Sequence, residues 1–132
     1  GREQTCMLEK KMAKILVVED EAEIRQLLIE LVENAGHSAF GAGNGLLGWN
    51  LLKDNADVTL VITDIRMPEH DGRELIAKIR ADSGLADLPV IIISGAVGPK
   101  EISDLLSMGA TAFLPKPIGP GELENYLKRY LA

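Results

Sequence analysis

Five short stretches of the chain are rich in β-branched residues, and amphipathic segments separate them. Three of these stretches, KILVV (14–18), DVTLVIT (57–63) and LPVIIIS (88–94), have no polar face. Strands that are covered on both sides of a parallel sheet have this composition. Two weaker stretches, HSAFGA (37–42) and TAFLP (111–115), complete the set. The pattern therefore predicts five strands of a buried parallel sheet.

The segments between these strands repeat with a helical period. Residues 21–36 place five aliphatic side chains on one stripe, namely Ile24, Leu27, Leu28, Leu31 and Val32. The segment ends at Gly36, and Gly109 is a second expected helix stop, because glycine readily adopts the left-handed conformation that closes helices. Less regular helical patterns cover 45–55, 72–82, 100–109 and 121–132. The glycine-rich stretch 41–48 is predicted to be a turn and a poor start for a helix.

Strands and helices thus alternate five times, which predicts a (βα)5 α/β fold. Short connections and right-handed crossovers favour a doubly wound parallel sheet with helices on both faces. With 132 residues, of which 46% are hydrophobic, the chain has the size of one compact domain. Residues 1–12 show no periodicity, so we expect a leader or cloning remnant without order there and one domain over residues 13–132.

Charge and cysteine content narrow the classes of function. A net charge of −6 disfavours a surface that neutralises nucleic-acid phosphates, so no direct nucleic-acid binding is expected. The single Cys6 cannot form an internal disulfide, and no apolar run has the length of a signal peptide or a membrane span. A cytoplasmic setting without membrane contact is the expectation.

Chemically active side chains follow four of the predicted strands. In doubly wound sheets, ligands bind beyond the carboxyl ends of the strands, where strand order reverses. The residues at these ends are Glu19, Asp20, Asp64, Ser94 with Gly95, and Lys116 with Pro117. Three carboxylates at one edge repel one another unless a cation lies among them. Their hard oxygen atoms select Mg²⁺ or Mn²⁺.

Each of these residues also has a purely structural interpretation. Asp20 with Glu23 fits a capping box for the first helix, which is compatible with a metal role. Ser94-Gly95 alone is typical of a turn, and Lys116-Pro117 alone is typical of a strand end. The two histidines and Trp49 have no partners at metal-ligand spacing, so surface or packing roles are expected for His37, His70 and Trp49.

The motifs VVEDE (17–21), DIRMPEHDG (64–72), SG (94–95) and KP (116–117), in this order, resemble those of the receiver domain of two-component response regulators. The resemblance covers residues 13–132. It implies a flavodoxin-like sheet in the order 2-1-3-4-5. It also implies phosphoryl transfer to Asp64 from a phosphohistidine of a sensor histidine kinase or histidine phosphotransfer protein.

The resemblance assigns further roles at the site. Asp20, Asp64 and the backbone carbonyl of Arg66 would ligate the metal, and Glu19 would hold a metal-bound water. Asp64 and Lys116 would be the catalytic residues, and Ser94, Gly95 and Lys116 would bind the phosphoryl group. A turnover enzyme is not implied.

Ser94 and Phe113 would form the switch that changes the surface of the fourth helix, fifth strand and fifth helix. That surface would control a partner or an attached output domain. The stretch ATAF (110–113) lacks the acidic pair of winged-helix transcription regulators, which disfavours that subfamily. A single-domain regulator and the receiver of a larger protein both remain open.

Two other classes share parts of this pattern. A flavodoxin-like FMN protein would have the same fold, but it needs a hydroxyl- and glycine-rich phosphate loop, and EDEAE (19–23) would repel phosphate. A haloacid-dehalogenase-type phosphatase also places an Asp at a strand end, but it needs a second Asp two residues later, where this chain has Arg66.

Overall fold

A computed structural model of the chain describes residues 13–67, 71–95, 97–119 and 121–131. The predicted leader (1–12), His70, Pro68 and Ala132 lie outside the described residues. Five parallel strands form one sheet: β1 (Lys14–Val18), β2 (Ser38–Ala42), β3 (Leu60–Thr63), β4 (Val90–Ser94) and β5 (Ala112–Pro115). Their order is β2-β1-β3-β4-β5, which confirms the expected strand order.

Five helices connect and follow the strands: α1 (Ala22–Asn34), α2 (Gly45–Asp54), α3 (Gly72–Ala81), α4 (Pro99–Met108) and α5 (Glu122–Tyr130). Gly36 and Gly109 have φ angles of 94° and 115°, so both predicted helix stops are confirmed. Among the described residues, no helix is long and apolar enough to cross a membrane.

Alternate residues of each strand point to opposite faces of the sheet, and each face has its own core. Leu16 and Val18 of β1 pack on the side of α2, α3 and α4, which contribute side chains such as Leu52, Ile76 and Leu105. Ile15 and Val17 pack on the other side, against α1 and α5, which contribute residues such as Leu28, Val32, Leu123 and Leu127. This division explains why the strands have no polar face.

Arg80, near the end of α3, fastens the C-terminal end of α4. Its Nε donates to the carbonyl of Gly109 at 2.8 Å, and Nη1 donates to the carbonyls of Leu88 and Ala86 at 2.7 and 3.1 Å. Burial lowers the pKa of this guanidinium. The bond to Gly109 therefore holds the C-terminal end of α4, and the bonds to Ala86 and Leu88 hold the segment before β4.

Three local predictions were wrong. Leu27 is 55% exposed and does not belong to the apolar stripe of α1, which contacts the core mainly through Leu28 and Val32. Helix α2 begins at Gly45, inside the stretch predicted to be a turn, because the Asn44 side chain accepts a hydrogen bond from the N–H of Leu47 at 2.9 Å. Strand β3 begins three residues later than predicted, since 55–58 form a turn closed by the Val58 N–H on the Asn55 carbonyl.

Candidate functional site

Backbone hydrogen bonds position three of the residues at the carboxyl edge of the sheet. The N–H groups of Glu19, Asp64 and Lys116 each donate to the last carbonyl of a neighbouring strand, at 3.0 Å in every case. These residues follow β1, β3 and β5 directly, so the sheet ladder continues to them. Their side chains therefore start from rigid backbone and not from free loops.

The side chains of these residues meet Asp20 in one cluster. Lys116 Nζ donates to Asp64 Oδ2 at 2.8 Å and to Glu19 Oε1 at 2.9 Å. One carboxylate oxygen each from Glu19, Asp20 and Asp64 lies within 4.8 Å of the others. The structure thus brings together four of the residues that the sequence predicted for the site.

Burial and mutual contacts shift the pKa values of two residues in the cluster. Glu19 is 1% exposed, and burial, together with the neighbouring Asp64, raises its pKa to about 7 although Lys116 acts in the opposite direction. Burial alone would lower the pKa of Lys116, but its hydrogen bonds to Asp64 and Glu19 outweigh this and raise it. Lys116 is therefore held as a cation between two acids.

The charge balance fits a divalent cation. When all three carboxylates are ionised, as metal binding requires, they leave an excess of two negative charges against one ammonium. Clustered oxygen ligands are those that Mg²⁺ and Mn²⁺ prefer. Asp20 is exposed and Asp64 partly exposed, so the open side of the cluster faces solvent. The cluster of Glu19, Asp20 and Asp64 can hold such a metal.

The loop after Asp64 folds back onto the end of β3. The N–H of Ile65 donates to Asp64 Oδ1 at 2.6 Å, and the buried Thr63 hydroxyl donates to the Asp64 carbonyl at 2.8 Å. The N–H of Gly72 donates to the Ile65 carbonyl at 2.8 Å. A Cβ atom at Gly72 would lie 2.4 Å from the Asp64 carbonyl oxygen, so this close approach requires glycine. The sequence predicted a helical segment from Gly72, but nothing in it indicated this contact.

Ser94 and Phe113 lie on the two strands beside the cluster. Ser94 is buried at the end of β4, and Phe113 lies on β5 in register with Ile92 and packs against the core on the α3 and α4 side. The Tyr126 hydroxyl of α5 donates to the Phe113 carbonyl at 3.0 Å. Gly95 follows β4, and a Cβ there would make an ordinary 3.8 Å contact with Lys116. The phosphoryl-binding and switch roles of these residues stay predictions.

The side-chain contacts of four charged residues near the site were not predicted from the sequence. The Arg66 side chain pairs with Glu101 at 3.3 Å, and Arg73 pairs with the same carboxylate. Arg25 Nη1 donates to the carbonyl of Glu19 at 2.7 Å. Long surface side chains show no periodicity in a sequence, so no signal indicated these contacts.

The structure also decides two of the structural interpretations. Glu21, not Asp20, is the N-cap of α1, and it makes no side-chain capping bond, so the capping box of Asp20 and Glu23 was wrong. His37 accepts the N–H of Ala13 at 3.0 Å, and Lys53 and Lys78 lie over the ring of Trp49. His37 and Trp49 thus have packing roles.

Comparisons with known proteins agree with this geometry. The family model described as "Response regulator receiver domain" matches residues 15–128. A chemotaxis protein CheY homolog of Campylobacter jejuni is 34% identical over 119 residues, which cover 89% of this chain and 92% of the relative. The chemotaxis protein CheY1 of Helicobacter pylori is 33% identical over 87% of this chain and 94% of the relative.

Solved structures give the same result. A response regulator receiver protein from Pseudomonas putida is 33% identical, with a TM-score of 0.83 over 89% of this chain and 97% of that one. The chemotaxis protein CheY4 of Vibrio cholerae is 28% identical, with a TM-score of 0.84 over 90% of this chain and 98% of that one. The chain belongs to the response regulator receiver domain family.

Membership of this family confirms the flavodoxin-like fold and the resemblance drawn from the motifs. It also places the chain among the CheY-like receiver domains of two-component systems, which are regulatory and not turnover enzymes. The FMN-binding and phosphatase alternatives are therefore set aside. Receiver domains interact with histidine kinases and output domains.

Proposed function

We propose that this receiver domain takes a phosphoryl group from a phosphohistidine onto Asp64 with the help of Mg²⁺. The observation that carries the proposal is the position of Lys116 Nζ, within 2.9 Å of both Asp64 and Glu19 in a cluster of three carboxylates. Transfer of a phosphoryl group needs a cation on one side of the acceptor carboxylate and a set of metal-binding acids on the other side.

Four groups of the chain would hold the metal. Asp20 and Asp64 would ligate it through carboxylate oxygens, the backbone carbonyl of Arg66 would add a third oxygen, and Glu19 would orient a water. When bound, Mg²⁺ or Mn²⁺ supplies positive charge that offsets the charge of the phosphoryl oxygens. Burial raises the pKa of Glu19 and the neighbouring Asp64 adds to this, and the charge of the metal would counteract both effects.

The transfer itself uses the Asp64 carboxylate as nucleophile. One of its oxygens forms a bond to phosphorus while the phosphorus–nitrogen bond of the phosphohistidine breaks, and the electron pair returns to the imidazole ring. Lys116 then donates to phosphoryl oxygens, with the Ser94 hydroxyl and the Gly95 backbone as further contacts. The donor is a sensor histidine kinase or a histidine phosphotransfer protein.

The signal would leave through the face formed by α4, β5 and α5. A phosphoryl group adds acceptor oxygens beside Ser94, and movement of Ser94 toward them vacates space for Phe113. Phe113 and Tyr126 lie on β5 and α5 and share a hydrogen bond, so a change at Phe113 reaches both elements. This face would control a partner or an attached output domain.

The test is labelling with acetyl phosphate and Mg²⁺, followed by intact-mass spectrometry. We expect one added phosphoryl group on the wild type and none on Asp64→Asn. Asp54→Asn is the matched control, because Asp54 is exposed at the end of α2 and should leave labelling unchanged. Equal labelling of Asp64→Asn and the wild type would refute Asp64 as the acceptor. Labelling of the wild type that persists in EDTA would refute the role of the metal.

A further inference from the structure

A single carboxylate of α4 contacts both ends of the loop that follows Asp64. Glu101, in the first turn of α4, accepts a hydrogen bond from Arg66 Nη2 onto Oε1 at 3.3 Å. Its other oxygen, Oε2, accepts one from Arg73 Nη2. Arg66 lies two residues after Asp64, and Arg73 is the second residue of α3, whose N–H donates to the N-cap Asp71. Glu101 therefore links the start and the end of this loop to α4.

The rest of α4 offers little to fix its first turn. Leu105 is the buried residue of this helix, whereas Leu106 and Met108 are 45% and 39% exposed. The C-terminal end is held by Arg80 on the carbonyl of Gly109. The N-cap Gly98 makes no side-chain capping bond. Val97, just before the helix, is partly buried against the core. The ion pairs of Glu101 add a polar contact between the first turn of α4 and the loop.

We propose that Glu101 is a positioning residue that couples occupation of the acidic site to the order of the first turn of α4. The inference rests on the proposed function, because it takes the Arg66 segment to be fixed when a metal occupies the site. A fixed Arg66 holds Glu101, and Glu101 holds the helix turn that begins at Pro99. Coupling of this kind is reciprocal, so order in this turn favours the occupied site by the same factor.

Side-chain exposure suits Glu101 to this role. Its side chain is 21% exposed, and those of Arg73 and Arg66 are 36% and 63% exposed. Ion pairs at this level of exposure contribute little to overall stability. Loss of Glu101 should therefore leave the fold intact and remove the coupling, which separates this role from a structural one.

The test is amide hydrogen exchange of Ile102, whose N–H donates to the Gly98 carbonyl and closes the first turn of α4. In the wild type, saturating Mg²⁺ should slow this exchange by about fivefold or more, the lower range of measured couplings. In Glu101→Gln the ratio of rates without and with Mg²⁺ should fall to about one. Arg73→Gln breaks the same bridge from the other side and should also lower the ratio.

Asp104→Asn is the matched control, since it removes one charge from the exposed face of the same helix and should keep the wild-type ratio. A structural role of Glu101 would change the exchange rate equally with and without Mg²⁺ and leave the ratio unchanged. A wild-type ratio in Glu101→Gln, or a wild type that binds Mg²⁺ without slower exchange at Ile102, would overturn this inference alone. A wild type that binds no Mg²⁺ in a calorimetric titration would overturn the metal site and the coupling together.

Discussion

Replacement of Gly72 by alanine tests the packing of the loop that follows Asp64. The added Cβ would lie 2.4 Å from the Asp64 carbonyl oxygen and 3.0 Å from Ile65 Cα. Both are backbone atoms, so no side chain can rotate away. Ordinary contacts begin at 3.4 Å, and the loop and the start of α3 must therefore separate by roughly 1 Å.

The expected cost follows from this displacement. Overpacking of a tight site costs about 1–3 kcal/mol, partly offset by the better helix propensity of alanine, which is worth up to about 1 kcal/mol. A net loss near 2 kcal/mol would lower the melting temperature by roughly 5 to 10 °C in a domain of this size. The same shift moves the acceptor, and displacements near 1 Å reduce rates by about a hundredfold.

Urea unfolding and the rate of labelling by acetyl phosphate measure the two effects. Gly98→Ala is the matched control, because a Cβ there meets no atom within 4 Å and the backbone φ is −88°. We expect that control to lose at most about 1 kcal/mol, because glycine is preferred to alanine at a helix N-cap. If Gly72→Ala unfolds at the same urea concentration as Gly98→Ala and labels at the wild-type rate, the steric argument is refuted.

Three other changes have defined outcomes. Asp20→Ala should weaken Mg²⁺ binding at least tenfold in a calorimetric titration, because it removes one of two carboxylate ligands, and unchanged affinity would exclude Asp20 from the site. Ser94→Ala should still accept the phosphoryl group, but NMR shifts of α4 on addition of beryllofluoride should be lost; their persistence would exclude Ser94 from the switch. The folded pKa of Glu19, about 7, lies above its unfolded value of 4.5, so the folded protein holds an extra proton between these values. Without divalent cations, the contribution of the protonated Glu19 to the free energy of unfolding is therefore lost as pH rises from about 5 to about 7. Glu19→Gln should reduce the fall in the free energy of unfolding over this pH range. An equal fall in the wild type and the variant would contradict the raised pKa of Glu19.

The fold could be predicted because its signals are local. The signals used here, β-branched residues for buried strands and glycine for helix ends, each depend on a few neighbouring residues. Strand β1 was therefore predicted with its observed bounds, 14–18. The errors arose where a side chain decided between two local outcomes. Asn44 caps a helix that its neighbouring glycines disfavour, and Leu27 follows the helical period but lies beyond the edge of the contact with the sheet.

The acidic site could be predicted for a related reason. Parallel strands bring their carboxyl ends to one edge, so Glu19, Asp64 and Lys116 were placed together by topology, without knowledge of any distance. The contacts of Arg25 and Glu101 depend on how long side chains cross between elements. Neither periodicity nor strand order contains that information.

The two ends of α4 are secured by interactions that respond differently to salt. Added ions screen the part-exposed pairs of Glu101, but they have little effect on the bonds of Arg80 to the Gly109 and Leu88 carbonyls. Higher ionic strength should therefore weaken the contacts of the first turn of α4 with Arg66 and Arg73 and leave the contact at Gly109 unchanged.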